Sequence, residues 1–148
     1  MPVIEKQAVV PFSAAQMFVL VDDIASYTDF VPACSASQVI SVDGQSMTAK
    51  LTFSRSKISK SFTTTNIRNE PHSIELRLVD GPFRMLEGSW EFEDLEAGKS
   101  RVSLELEFEF SSRILAKMFG PVFEGVASKL VETFKRRAYS IYGGVDAD

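Results

Sequence analysis

Apolar and polar positions alternate without interruption near the end of the Lys99–Phe110 stretch. Val102, Leu104, Leu106, Phe108 and Phe110 fall on one side; Ser103, Glu105, Glu107 and Glu109 fall on the other. A period of two is the mark of a strand with one dry face and one wet face. Gly88–Leu95 repeats it, with Trp90 and Phe92 inward and Ser89, Glu91 and Glu93 outward. Further strands are predicted over Val3–Val10, Ser35–Val42, Gln45–Ser54, Ser59–Arg68 and Ser73–Val79. Asp43-Gly44 is a hairpin signal, and Asn69-Glu-Pro-His72 and a turn holding Gly98 punctuate the rest. Connections this short make the sheet antiparallel.

Two segments change period. After Pro11, the run Phe12-Ser-Ala-Ala-Gln-Met17 carries a helix start: Ser13 as cap, Gln16 as its capping-box partner, and Phe12 and Met17 at the staple positions. That helix should run to about Asp22, with a second short one over Ser26–Phe30 ended by Pro32. From Ser112 to Ile141 the spacing turns helical. Leu115, Phe119, Val122, Val126, Leu130 and Phe134 form the stripe, and Met118, Phe123, Ala127, Val131, Ala138 and Ile141 widen it. Such a helix is ~40 Å long, enough to cross seven strands, with a kink or split expected at Gly120-Pro121. The predicted fold is α+β in the order β-α-α-β6-α. A seven-stranded curved antiparallel sheet wraps a long C-terminal helix, with room for a cavity between them. Residues 1–142 read as a single domain and 143–148 as a flexible tail.

Composition sharpens this picture in one respect. Twelve of the 148 residues are Phe, against three Tyr and one Trp. Phe adds large apolar area and no polar atom, which suits a dense core and a greasy cavity equally well. The net charge of −4 and the wet face of Glu91, Glu93, Glu105, Glu107 and Glu109 argue against DNA as a partner. A lone Cys34 excludes an internal disulfide and fits a reducing compartment. The N-terminus lacks the apolar core of a secretory signal, and no run reaches the ~18 apolar residues of a membrane span. The expected location is cytoplasmic, at most peripheral to the inner membrane.

Four stretches carry a resemblance: Val10–Cys34, Ser59–Asn66, Leu78–Trp90 and Phe108–Phe110. Within them stand Tyr-X-X-Phe-Val-Pro (Tyr27–Pro32) and Gly-Pro-Phe…Leu-X-Gly-X-Trp (Gly81–Trp90). In this order and spacing they resemble the START-like (SRPBCC) superfamily and its helix-grip fold. The branch is the one holding coenzyme-Q-binding, polyketide cyclase-like and RatA-type ribosome-association proteins. The resemblance spans Met1 to about Tyr142; Gly120-Pro121 departs from the pattern. It implies a non-catalytic protein. One implied role is binding ubiquinone or a related lipid in support of respiration. The other is binding the large ribosomal subunit and blocking subunit joining.

Candidate sites follow from both arguments. Phe83, Met85 and Leu86 sit in a punctuated segment between Asp80-Gly-Pro82 and Gly88, and read as an apolar loop. With Phe30-Val31-Pro32 and with Met118 and Phe119 they would frame a mouth. Trp90, Phe92, Leu104, Leu106 and Phe108, with Val122 and Val126 of the helix, would line the interior; a filled core predicts the same pattern. Arg55, Lys57 and Lys60 form one basic cluster and Lys135, Arg136 and Arg137 another. Each is a candidate contact for ribosomal RNA or anionic head groups, or simply a solvated tip and a complement to a helix dipole. His72, the single histidine, lies in a turn with no triad partner at a familiar spacing, and Asp22-Asp23 ends a helix. One His and one Cys cannot make an ordinary zinc site, so no metal and no required cofactor are expected. A bound ubiquinone is the candidate ligand. Aromatase/cyclase chemistry is the least supported reading, for want of acid–base groups.

Overall fold

The computed structural model describes residues 2–143. Apart from Gly143, the tail expected over 143–148 lies outside them. Seven strands form one antiparallel sheet: β1 (Val3–Val10), β2 (Cys34–Asp43), β3 (Ser46–Arg55), β4 (Ile58–Asn69), β5 (Ser73–Asp80), β6 (Phe83–Asp94) and β7 (Ser100–Phe110). Their spatial order is β1-β7-β6-β5-β4-β3-β2, so β1 and β2 are the edges. The alternation in β6 and β7 is realised: Trp90 pairs with Leu104 and Phe92 with Val102, all buried on the inner face. Glu87 faces Glu107 on the outer face, beside the Ser89–Glu105 pair.

One expectation is corrected here. Phe83, Met85 and Leu86 are not in a loop; β6 starts at Phe83. The segment reads as punctuated because a register shift separates Phe83 from Met85. Such a bulge interrupts the alternation without ending the strand. Phe83 and Leu86 both turn inward and are buried, which answers for their apolar character.

The close approach of β6 and β7 depends on a position with no side chain. Gly88 lies in the inner row between Leu76 and Leu106. A Cβ there would stand 2.1 Å from the Glu105 carbonyl oxygen and 2.8 Å from a Leu106 methyl. The strands can approach this closely only through glycine.

Helix α1 (Ala14–Asp22) begins as read. The Gln16 N–H donates to Ser13 Oγ at 3.1 Å, and the Ser13 N–H donates to Gln16 Oε1 at 2.9 Å. The sheet adds a second cap, since Asp94 Oδ1 accepts from the Ala14 N–H at 2.8 Å. At the other end Arg68 reaches Asp22 at 3.1 Å and donates to the Gly44 and Gln45 carbonyls. The β2–β3 turn is thereby tied to α1. A 3-10 segment, Ile24–Asp29, follows.

The single long C-terminal helix is also corrected: three helices occupy its place. They are α2 (Arg113–Met118), α3 (Gly120–Ala127) and α4 (Leu130–Tyr142). Pro121 opens α3 in its first turn, where a missing N–H costs nothing. The second break, at Ser128-Lys129, has no proline or glycine to announce it. It allows two different packings, α3 against β3 and α4 against α1 and β1. A straight rod could not follow both.

All twelve Phe find aromatic neighbours. Seven of them (Phe53, Phe62, Phe83, Phe108, Phe110, Phe119 and Phe123) form one continuous cluster; Phe83 stacks on Phe110 at 5.0 Å and meets Phe123 edge-on at 4.9 Å. A second cluster joins Phe18, Tyr27, Phe30, Trp90, Phe92 and Phe134. Phe12 packs on Tyr139 and Tyr142, and Tyr142 donates to the Gln16 carbonyl at 2.8 Å, fastening α4 to α1.

Two glycines make opposite predictions. Gly88→Val should cost at least ~3 kcal/mol, because backbone rather than a flexible side chain must move. Gly125, in α3 with nothing within 4 Å of its added Cβ, should gain ~0.5–1 kcal/mol as Ala. Urea unfolding followed by circular dichroism measures both.

Candidate functional site

Between the two aromatic clusters the core does not close. A cavity of about 70 Å³ lies there. Its floor is the inner face of five strands: Ala49, Leu51 and Phe53 of β3, Phe62, Thr64 and Asn66 of β4, Ile74 and Leu76 of β5, Leu86 and Trp90 of β6, and Leu106 of β7. The roof is Val21, Ile24 and Tyr27 on one side and Phe123, Ala127 and Leu130 on the other. Ala127 and Leu130 flank the α3–α4 break, so the unforeseen interruption sits directly over the cavity.

The lining holds no carboxylate, amine, guanidinium, imidazole or thiol. Its one titratable group is the Tyr27 hydroxyl, which donates to the Val21 carbonyl. Burial, and behind it the nearby Asp22 carboxylate, push that phenol far above the ordinary range, so it stays neutral. The remaining polar groups are the Trp90 indole N–H and the side chains of Thr64 and Asn66, all three residues nearly inaccessible to solvent. Thr64 Oγ1 donates to Asn66 Oδ1 at 2.7 Å.

Of the candidate ligand residues, Leu86, Trp90 and Leu106 line this cavity. Phe83, Phe108 and Phe119 belong instead to the first aromatic cluster and plug the end of the sheet where a mouth was expected. Phe92 and Leu104 continue the buried inner face beyond Trp90, and Val122 is buried in α3. Val31 is buried, whereas Phe30 lies half-buried under the Arg137 guanidinium, 4.6 Å from its ring. Met118 points away from the core and is exposed. Sequence reasoning missed the whole roof, Ile74 and Leu76 of β5, and every lining residue on β3 and β4. Their period-two pattern was available (Ala49, Leu51, Phe53; Phe62, Thr64, Asn66), but two polar side chains on the inner face disguised it.

The basic residues rearrange as well. Arg55 and Arg136, from separate clusters, line one surface groove with Lys129, Pro32, Gly125, Val126, Glu132 and Thr133. Lys60 pairs in register with Phe53, which places it on the inner side at the same end of the sheet, and Lys57 occupies the exposed turn between β3 and β4. These cations sit on the opposite side of the sheet from its glutamates. Lys135 is half-buried on α4, and Arg137 is engaged with Phe30. His72 is an exposed turn residue, and Cys34 is buried, with its thiol pushed up by that burial. Among the described residues no three His, Cys, Asp or Glu side chains converge as metal ligands, and no helix is long and apolar enough to cross a membrane.

A family model described as polyketide cyclase / dehydrase and lipid transport matches residues 10–135. The chain is 44% identical over 140 residues to the ribosome association toxin RatA of Vibrio cholerae, covering 95% of this chain and 97% of that protein. It is 30% identical over 135 residues to the mitochondrial coenzyme Q-binding protein coq10 of Schizosaccharomyces pombe, covering 86% and 81%. A START superfamily protein from Mycobacterium smegmatis superposes with a TM-score of 0.78 at 17% identity, covering 94% of this chain and 98% of that one. The fold is thus START-like, and the chain belongs to the polyketide cyclase / dehydrase and lipid transport family.

Proposed function

We propose that this protein is a non-catalytic carrier of a small hydrophobic ligand, a ubiquinone or a close relative, held between sheet and C-terminal helices. The observation that carries the reading is the cavity itself: an apolar space that the aromatic clusters bracket but do not fill. Each methylene moved from water into such a lining contributes ~0.8 kcal/mol, so an isoprenoid tail supplies affinity without charge. The relative that binds coenzyme Q favours a quinone head. Acid–base catalysis finds no support in the lining, where the one phenol is committed to a backbone carbonyl. The cavity is small, about 70 Å³, and entry goes with lifting of the roof where α3 and α4 part.

A second reading rests on a different observation. Arg55, Lys129 and Arg136 line one groove, and the relative reported above at 44% identity carries the name of a ribosome association toxin. Under this reading the groove meets ribosomal RNA of the large subunit, as the cations of a phosphate-binding surface.

The single tryptophan lines the cavity and makes the first reading measurable. Decylubiquinone should quench Trp90 fluorescence saturably, beyond the collisional quenching of free tryptophan. Ala49→Leu, which fills the cavity from β3, should weaken that binding at least tenfold while the far-ultraviolet spectrum is kept. Purely collisional quenching of the native protein would sink the carrier reading.

For the second reading, the protein should sediment with large ribosomal subunits at low salt and lose binding steeply as salt rises, because phosphate contacts release counterions. Arg55→Glu with Arg136→Glu should abolish co-sedimentation and leave quinone quenching intact. Binding that ignores salt and both reversals removes the groove from consideration.

A further inference from the structure

Thr64 and Asn66 have no structural task in the cavity wall that an apolar pair would not perform better. Burying a carboxamide without full hydrogen bonding costs on the order of 1–3 kcal/mol. Thr64 and Asn66 face inward two residues apart on β4, opposite Ala49 and Met47 of β3 and Leu78 and Leu76 of β5. All four of those neighbours are apolar. The Thr64 hydroxyl donates to Asn66 Oδ1 at 2.7 Å. With the hydroxyl donating to one lone pair of that oxygen, both amide N–H groups of Asn66 are left to donate elsewhere. Among the described residues nothing accepts from that nitrogen, and Asn66 lies on the cavity wall. A free amide donor on a wall that is otherwise mostly apolar calls for an acceptor on whatever fills the space.

We infer that Asn66 is the specificity-determining residue of the cavity: its carboxamide donates to a carbonyl oxygen of a neutral ligand, and Thr64 holds it in the donating orientation. This rests on the carrier reading and narrows it. The ligand class is a carbonyl-bearing apolar molecule. A carboxylate is disfavoured, since no cation lines the cavity to offset its desolvation. A plain hydrocarbon leaves the donor unpaired. Loss of the Thr64 hydroxyl frees the carboxamide to turn and present either end.

The test compares two probes by quenching or competition at Trp90. One is decylubiquinone; the other is the arene with the same methoxy, methyl and decyl substituents and hydrogen in place of both carbonyl oxygens. Native protein should prefer the quinone by roughly tenfold, the value of one net hydrogen bond to a buried donor. Asn66→Leu should bring that ratio to about one while arene binding is kept or improved. Should Asn66→Leu fail to fold, Asn66→Ala serves the same purpose, and Thr64→Val should cut the preference to an intermediate value. An unchanged preference in the folded Asn66 variants overturns the assignment. Equal binding of both probes by native protein overturns it too, yet leaves the carrier reading standing. If native protein binds neither probe, both fall together.

Discussion

Everything in this molecule answers to one constraint: a strongly curved sheet must be covered by straight helices without leaving the core open. A seven-stranded antiparallel sheet bends away from any rod laid across it. Gly88 lets β6 and β7 approach within a distance that a Cβ would forbid, and a register shift between Phe83 and Met85 interrupts the same strand. The chain meets the resulting gap in two ways. It breaks its C-terminal helix into pieces that follow the curve, and it packs the flanks with aromatic rings. Edge-to-face contacts near 5–6 Å tile a concave surface better than aliphatic side chains do, because each ring fills depth as well as area. The excess of Phe over Tyr and Trp follows, since most of these rings have no polar atom to satisfy.

The cavity is what this solution leaves in the middle. Its walls are made by residues whose other faces belong to the clusters: Phe53, Phe62 and Phe123 from one, Tyr27 and Trp90 from the other. Its size is therefore set by packing on both flanks rather than by any residue devoted to it. Its chemistry is set separately, by a hydroxyl and a carboxamide on one strand. A core optimised only for stability would place apolar side chains there, as β3 and β5 do alongside with Ala49 and Leu76.

Much of the fold was legible because its signals are local. Ser13 and Gln16 announce a helix start within four residues, and Val102–Phe110 announces a half-buried strand by itself. What was not legible required knowledge of distant partners. Phe83 and Leu86 looked like a loop because a bulge and two nearby glycines mimic a turn when the opposing strand is unseen. The α3–α4 break leaves no mark in the sequence, since Ser128 and Lys129 are ordinary helix residues and the cause is sheet curvature. The site suffered most. β6 and β7 alternate cleanly and drew attention, yet only Leu86, Trp90 and Leu106 among the expected residues reach the cavity. On β4 the inward positions hold Thr64 and Asn66, and polarity at an inward position reads as an outward one until the register is known.

The basic residues illustrate the same point from outside. Arg55 and Arg136 are eighty-one positions apart and belong to clusters that each look like a solvated end. The fold joins them because β3 ends where α4 begins, and Lys129 completes the set. The α3–α4 break now has two faces. Val126 and Lys129 contribute to the groove, while Ala127 and Leu130 contribute to the cavity. Four residues at one helix interruption thus form a wall shared by the apolar space and the cationic surface. Val126 and Lys129, and likewise Ala127 and Leu130, are three positions apart, the spacing that shares one helical face. Two adjacent faces of one segment therefore set a dry site and a charged site back to back where α3 gives way to α4.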